Sequence, residues 1–155
     1  EEFRSGRLAA CLNYWTYAAR LQGIGAREII TMAEAVKALG ISPTPTLVGF
    51  IWSEKGAKEK QVPINALLAA ASEANAVLAK SEEAWERLRA IVKPATDDEF
   101  TSIKAAFRAG IPQSWGSAET QSAEQLTNLL IKLGDTELVG DGTRFDPNLF
   151  YTQSG

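Results

Sequence analysis

The sequence contains no histidine and one cysteine, Cys11, among its 155 residues. Histidine is the most common general base and the most common metal ligand, so its absence removes the usual basis for both roles. A single thiol can form neither an internal disulfide nor a multi-thiolate metal site. Motifs for a nucleophilic serine, a phosphate-binding loop and a dinucleotide are missing too. The sequence therefore predicts a protein that is not an enzyme, with no catalytic residue, metal or cofactor.

Positive charge and long apolar runs are also scarce. The net charge is −3 and the isoelectric point is about 5.1, so there is no basic field to hold nucleic acid or an anionic membrane. No stretch reaches the about 18 uninterrupted apolar residues that a membrane helix needs. An apolar content of 45% and a charged content of 23% are typical of globular proteins. We therefore expect a globular chain that does not bind nucleic acid.

Three short apolar runs predict β-strands: Leu8–Tyr14, Glu28–Thr31 and Thr46–Trp52. The first run leads into a predicted helix over residues 16–21, and the second leads into one over residues 33–39. This alternation of strand and helix indicates an α/β fold with parallel strands.

The remaining sequence predicts helices. Apolar residues recur at helical spacing from Ile64 to Leu78, and Ser81 begins a helix that carries Trp85 in the core. Thr96 and Glu99 form a predicted capping box, and a last long helix follows Ser117. A doubly wound sheet has about five strands, so three are too few to cover these helices. We therefore expect the chain to be the C-terminal half of a longer protein, whose bare helix faces and strand edges another chain covers, as in a homo-oligomer.

Several segments share their order and spacing with one protein family. They are Phe3-x-x-Gly6-Arg7-Leu8, Asn13–Ala19, Val48–Ser53, the alanine-rich helix after Pro63, the Gly110-Ile111-Pro112 turn and Asp146–Phe150. In this order they resemble the periplasmic substrate-binding proteins of nitrate, sulfonate and taurine type ABC importers. The chain departs from the family pattern at Ala9, where aspartate is usual.

The resemblance implies an architecture and a function. The architecture is the C-terminal portion of a two-lobed α/β clamshell, helix-rich with about three short strands. Residues 1–50 would be the tail of the second lobe with a hinge strand, and residues 51–155 would return to pack on the first lobe. The function would be capture of a small solute by lobe closure, with delivery to an ABC permease in the inner membrane. A periplasmic location follows, with an export signal expected upstream.

Asn13, Tyr14, Trp15 and Thr16 are the predicted ligand-binding residues, because they end a predicted strand and begin a helix. Ligands of open α/β sheets bind at the carboxyl ends of strands, where a helix N-terminus offers free N–H groups to an anion. The resemblance adds Trp52, which would stand beside the hinge. The alternative for the aromatic residues, Trp52 included, is burial in the core.

Two other functions stay open. Pyrimidine-precursor synthases of thiamine biosynthesis share the clamshell, so an enzyme on the same fold is one alternative. Those enzymes rely on residues such as a reactive histidine, which this chain lacks. The other alternative is a helical protein-interaction module, for which residues 64–133 would suffice.

Overall fold

The computed structural model describes residues 2–134, residue 140 and residues 144–151. Within these ranges the chain forms seven α-helices and no β-strand. The predicted α/β fold class, with about three strands in a two-lobed clamshell, is therefore wrong. The helices are α1 (Trp15–Gln22), α2 (Met32–Ala38), α3 (Glu54–Glu59), α4 (Gln61–Lys80), α5 (Glu82–Val92), α6 (Asp97–Ala109) and α7 (Ser117–Leu133), and a short 3-10 helix covers Pro147–Leu149.

The three predicted strands are irregular segments in the structure. Leu8–Tyr14, Glu28–Thr31 and Thr46–Trp52 lie outside the helices, and none of them pairs with another strand in the described part of the chain. Apolar, β-branched composition favours an extended backbone, but a strand also needs a neighbour that accepts and donates its hydrogen bonds. These segments have the composition of strands but no neighbouring strand in the described part of the chain. The strand prediction is wrong for this reason.

The helices predicted at α1, α2 and α4–α7 are confirmed, and α3 was not predicted. The signals of the predicted helices are local. The Ser81 side chain accepts a hydrogen bond from the Ala84 N–H at 3.1 Å and begins α5. The Thr96 hydroxyl accepts from the Glu99 N–H at 3.1 Å and begins α6. The predicted capping box is incomplete, since the Glu99 carboxylate accepts from the Ala95 N–H instead of the Thr96 N–H. Such caps contribute about 1 kcal/mol each.

The chain divides into two compact units. Unit 1 combines Glu1–Ile29 with Ala71–Ile111, and unit 2 combines Ile30–Ala70 with Pro112–Gly155. Helix α4 therefore contributes residues to both. The predicted lobe boundary at residue 50 stays a prediction.

The core of unit 1 is built around Trp85. Its ring packs edge-to-face on Phe100 and Phe107, at centroid distances of 6.1 and 5.4 Å. Its indole N–H donates to the Leu78 carbonyl at 2.8 Å, which satisfies the one polar atom of the side chain. Ala19 of α1 completes the buried cluster. The prediction that Trp85 belongs to the core is confirmed.

The end of α1 lies very close to the start of α6. A Cβ atom added at Gly23 would stand 2.4 Å from the Glu99 Cα and 2.7 Å from its nitrogen. The backbone of Gly23 is right-handed, so glycine is required here for space and not for its conformational freedom. This contact sets the distance between the two helices that carry Arg20 and Glu99.

Unit 2 has a smaller interior. Val36, Ile41, Pro45 and Ser122 are its buried residues in the described ranges. The Trp52 ring packs edge-to-face on Tyr151 at 5.2 Å, and the Tyr151 hydroxyl donates to the Asn65 side-chain oxygen at 2.8 Å. Many large hydrophobic side chains of this unit remain exposed, so its helices are held by few buried contacts.

Helix α4 is long and apolar enough to cross a membrane, judged by length and composition alone. Its mean hydropathy reaches 1.3, and none of its residues is buried. The core helix of a water-soluble protein can satisfy the same criterion, so this is weak evidence. The location of the protein stays a prediction.

Candidate functional site

Unit 1 contains a groove of about 530 Å³. It lies between the N-terminal segment, α1 and the connection from α5 to α6. This volume falls within the range of about 300–1,000 Å³ that is typical of small-molecule sites. The lining residues are Glu2, Phe3, Arg4, Leu8, Cys11, Asn13, Tyr17, Arg20, Leu21, Lys93, Ala95 and Glu99.

Asn13 is the predicted binding residue that lines this groove. Its side-chain amide donates to the Cys11 sulfur at 3.0 Å, and both residues are exposed. Tyr14 is 81% exposed and precedes α1. The Trp15 ring lies 6.3 Å from the Phe107 ring, and Thr16 is half-buried on α1. The structure therefore brings one of the four turn residues to the groove.

Trp52, the fifth predicted residue, belongs to unit 2. It is half-buried, with its ring against Tyr151. The described contacts of Trp52 are those of a packed aromatic side chain, and its role in binding stays a prediction.

An ion pair between Arg20 and Glu99 forms the base of the groove. The Arg20 Nη1 atom donates to a Glu99 carboxylate oxygen at 2.6 Å, and Nη2 donates to the Val92 carbonyl at 2.7 Å. The second Glu99 oxygen accepts from the Ala95 N–H at 2.8 Å. Glu99 is only 1% exposed. The pair thus ties α1 to both ends of the α5–α6 connection.

The surroundings of Glu99 keep its carboxyl ionised. Burial raises the pKa of Glu99, but the hydrogen bonds from Arg20 and from the Ala95 N–H outweigh this effect. The resulting pKa lies below the usual value for glutamate. Arg20 already donates hydrogen bonds to Glu99 and to the Val92 carbonyl. Its guanidinium therefore stabilises the fold and has less capacity to bind a ligand.

Two other cations line the groove, and we refer to Arg4 and Lys93 as the groove cations. Neither side chain forms an ion pair or hydrogen bond with any residue that the structure describes, but the positive charge of Arg4 helps to lower the pKa of Glu99. The acidic side chain of Glu2 is neutralised by a hydrogen-bonded ion pair with Arg7, which lowers the pKa of Glu2. The charge left available to a ligand is therefore positive.

Lys93 has a left-handed backbone with φ of 49° and ψ of 57°, at the C-terminal end of α5. It is the one described non-glycine residue with positive φ. This conformation suits glycine and is strained for lysine. Glycine would end α5 with less strain, but the residue at this position is a lysine that lines the groove.

Sequence reasoning missed the groove cations, Tyr17 and the Arg20–Glu99 pair. Glu99 was explained by helix capping alone, and its partner Arg20 is 79 residues away in sequence. No local pattern identifies such a pair. The acidic first turn of α6 is the nearest signal, and it points to capping.

A second hollow of about 390 Å³ lies in unit 2, beside the end of α2 and along α7. Lys132 is the one charged residue that lines it, with Gln125 and Asn128 as polar neighbours. Fewer functional groups converge here than in the groove of unit 1, so the groove is the stronger candidate.

In the described residues, no group of three histidine, cysteine, aspartate or glutamate side chains is arranged to hold a metal ion. The sequence matches no family model, and it matches no curated protein either.

Proposed function

We propose that the groove of unit 1 captures a small anionic solute. The observation that carries this proposal is the pairing of the groove cations, Arg4 and Lys93, with a pocket of ligand size. Positive side chains bind anionic oxygens through charge-assisted hydrogen bonds. The Tyr17 ring and the Asn13 amide would add apolar contact and orientation. Binding of this kind requires no covalent chemistry.

The resemblance to substrate-binding proteins of ABC importers supports a class of solute. Nitrate, alkanesulfonates and taurine all carry the compact anionic oxygens that the groove cations would accept. In this proposal the chain binds the solute and delivers it to a permease, and it does not transform the solute. The proposal rests on the groove and does not require the clamshell that the helical fold contradicts.

A helical interaction module is the second candidate, and one observation favours it. No residue of α4 is buried, and Val62, Leu67 and Val77 of this helix are exposed. Apolar side chains on one long helix are suited to packing against another protein. This candidate predicts that solutes have no effect on the chain.

Replacing Lys93 with glycine should separate binding from stability. Glycine relieves the left-handed strain, so we expect the free energy of unfolding to rise by about 1 kcal/mol. Loss of the ammonium group should weaken binding of an alkanesulfonate by about tenfold or more, since a charge-assisted hydrogen bond contributes about 1.5–3 kcal/mol. Urea unfolding and isothermal titration calorimetry measure the two quantities.

Lys93→Arg is the matched control, because it retains the charge at the same strained position. We expect it to bind the solute more tightly than Lys93→Gly does, because its guanidinium keeps a positively charged hydrogen-bond donor at this position. If Lys93→Gly and Arg4→Gln both bind the sulfonate as tightly as the unmodified chain, the groove cations do not bind the solute and the proposal is wrong.

A further inference from the structure

The segment Thr46–Trp52, which we call the apolar segment, is exposed and has no backbone partner. It runs without a turn or a bend. Its backbone forms no hydrogen bond with any other residue in the described part of the chain. Val48 is 81% exposed and Ile51 is 96% exposed. Free N–H and C=O groups beside large apolar side chains are the features of an unprotected strand edge.

The apolar segment has the sequence pattern of a strand that pairs with other strands. In an extended chain successive side chains point to opposite faces, so Val48 and Phe50 share one face and Leu47 and Ile51 share the other. All four are more than half exposed. No charged residue lies between Ile41 and Ser53, so the segment lacks the lysine or glutamate that usually blocks edge-to-edge pairing.

The apolar segment is also self-complementary about Gly49. In an antiparallel pair with its two-fold axis at this residue, Val48 of one copy lies opposite Phe50 of the other. Leu47 then lies opposite Ile51, and Gly49 lies opposite itself. Pairs of aromatic or β-branched residues stabilise antiparallel ladders by about 0.2–1 kcal/mol each. The two-fold axis forms every such pair twice.

Edge-to-edge pairing of one segment buries less than the about 800 Å² that each partner of a standard interface buries, so we expect a weak dimer. With no charge in the segment, two copies meet without electrostatic repulsion.

We propose that the apolar segment pairs with the same segment of a second copy of this chain, in an antiparallel ladder centred on Gly49. The dimer uses unit 2 and is independent of the solute groove in unit 1. It pairs the backbone groups on one edge of each segment and brings Val48 against Phe50 and Leu47 against Ile51 of the other copy.

Disulfide trapping tests the register of this pairing. In a Cys11→Ser background, Gly49→Cys should cross-link rapidly, because opposed Cβ atoms on the axis lie about 5 Å apart. Space is open at Gly49, with no atom within 4 Å of an added Cβ, and Cys11 is exposed. Leu47→Cys in the same background is the control, because its two copies lie about 14 Å apart along the ladder.

We expect the Gly49→Cys chain to form the disulfide dimer at least tenfold faster than the Leu47→Cys chain, as measured by non-reducing electrophoresis. The double variant Leu47→Cys/Ile51→Cys should restore rapid cross-linking. Equal rates at positions 47 and 49 would overturn the antiparallel register. A chain with native Gly49 that sediments as a monomer at about 100 µM would overturn the dimer itself.

Discussion

Replacing Trp85 with alanine is expected to lower the free energy of unfolding of unit 1 by about 4 kcal/mol. The substitution removes the largest side chain of the core, which contacts Phe100 and Phe107 and is 2% exposed. It also removes the hydrogen bond from the indole to the Leu78 carbonyl, which keeps a second hydrogen bond from the Arg108 Nε–H at 3.0 Å. Urea unfolding followed by far-UV circular dichroism measures the change.

Trp115→Ala provides the matched control. Trp115 is 47% exposed, and its ring contacts Phe150 at 5.2 Å. We expect this variant to lose less than about 1 kcal/mol, because little buried surface is removed. Equal losses for the two tryptophans would mean that the core of unit 1 is not where the structure places it.

Replacing Glu99 with alanine is expected to lower the free energy of unfolding by about 3 kcal/mol. The change leaves the Arg20 guanidinium without its carboxylate and the Ala95 N–H without an acceptor. The Arg20 side chain is 30% exposed, so water solvates part of its unpaired charge. The expected loss in the free energy of unfolding is therefore at the lower end of the range for buried pairs. Glu83→Ala removes an exposed carboxylate that pairs with Arg87, and it should cost less than about 0.5 kcal/mol.

The same pair predicts a pH dependence of stability. The pKa of Glu99 is lowered in the folded chain, so the unfolded chain binds more protons as the pH falls. The stabilisation is present above the unfolded pKa of about 4.3 and is lost as the pH falls through the lower folded pKa. We expect the unmodified chain to lose more stability than Glu99→Gln between about pH 5 and pH 3. Parallel stability curves for the two proteins would contradict the ion pair.

The sequence predicted six of the seven described helices, all except α3, because their determinants lie within a few residues. Ser81 and Thr96 begin helices through hydrogen bonds to the third residue that follows. The strand prediction failed because its outcome depends on a remote partner. The composition of Thr46–Trp52 favours an extended chain, but nothing within the segment shows whether another strand is available to it.

One residue of the predicted site, Asn13, lines the groove. It lies two residues before α1, but the strand that was predicted to end at this point is absent. The Arg20–Glu99 pair joins residues far apart in sequence. Lys93 has a backbone conformation that its residue type disfavours. Only the folded chain brings these groups to one groove.

Capture of an anionic solute by the groove of unit 1 can be followed by nuclear magnetic resonance titration. The ¹⁵N-labelled chain would be titrated with ethanesulfonate, nitrate and taurine, and amide shifts would be followed residue by residue. We expect saturable shifts at Asn13, Tyr17 and Lys93 with at least one of these solutes. Shifts confined to the hollow beside α7, or no shift from any of the solutes on a folded chain, would show that the groove does not capture them.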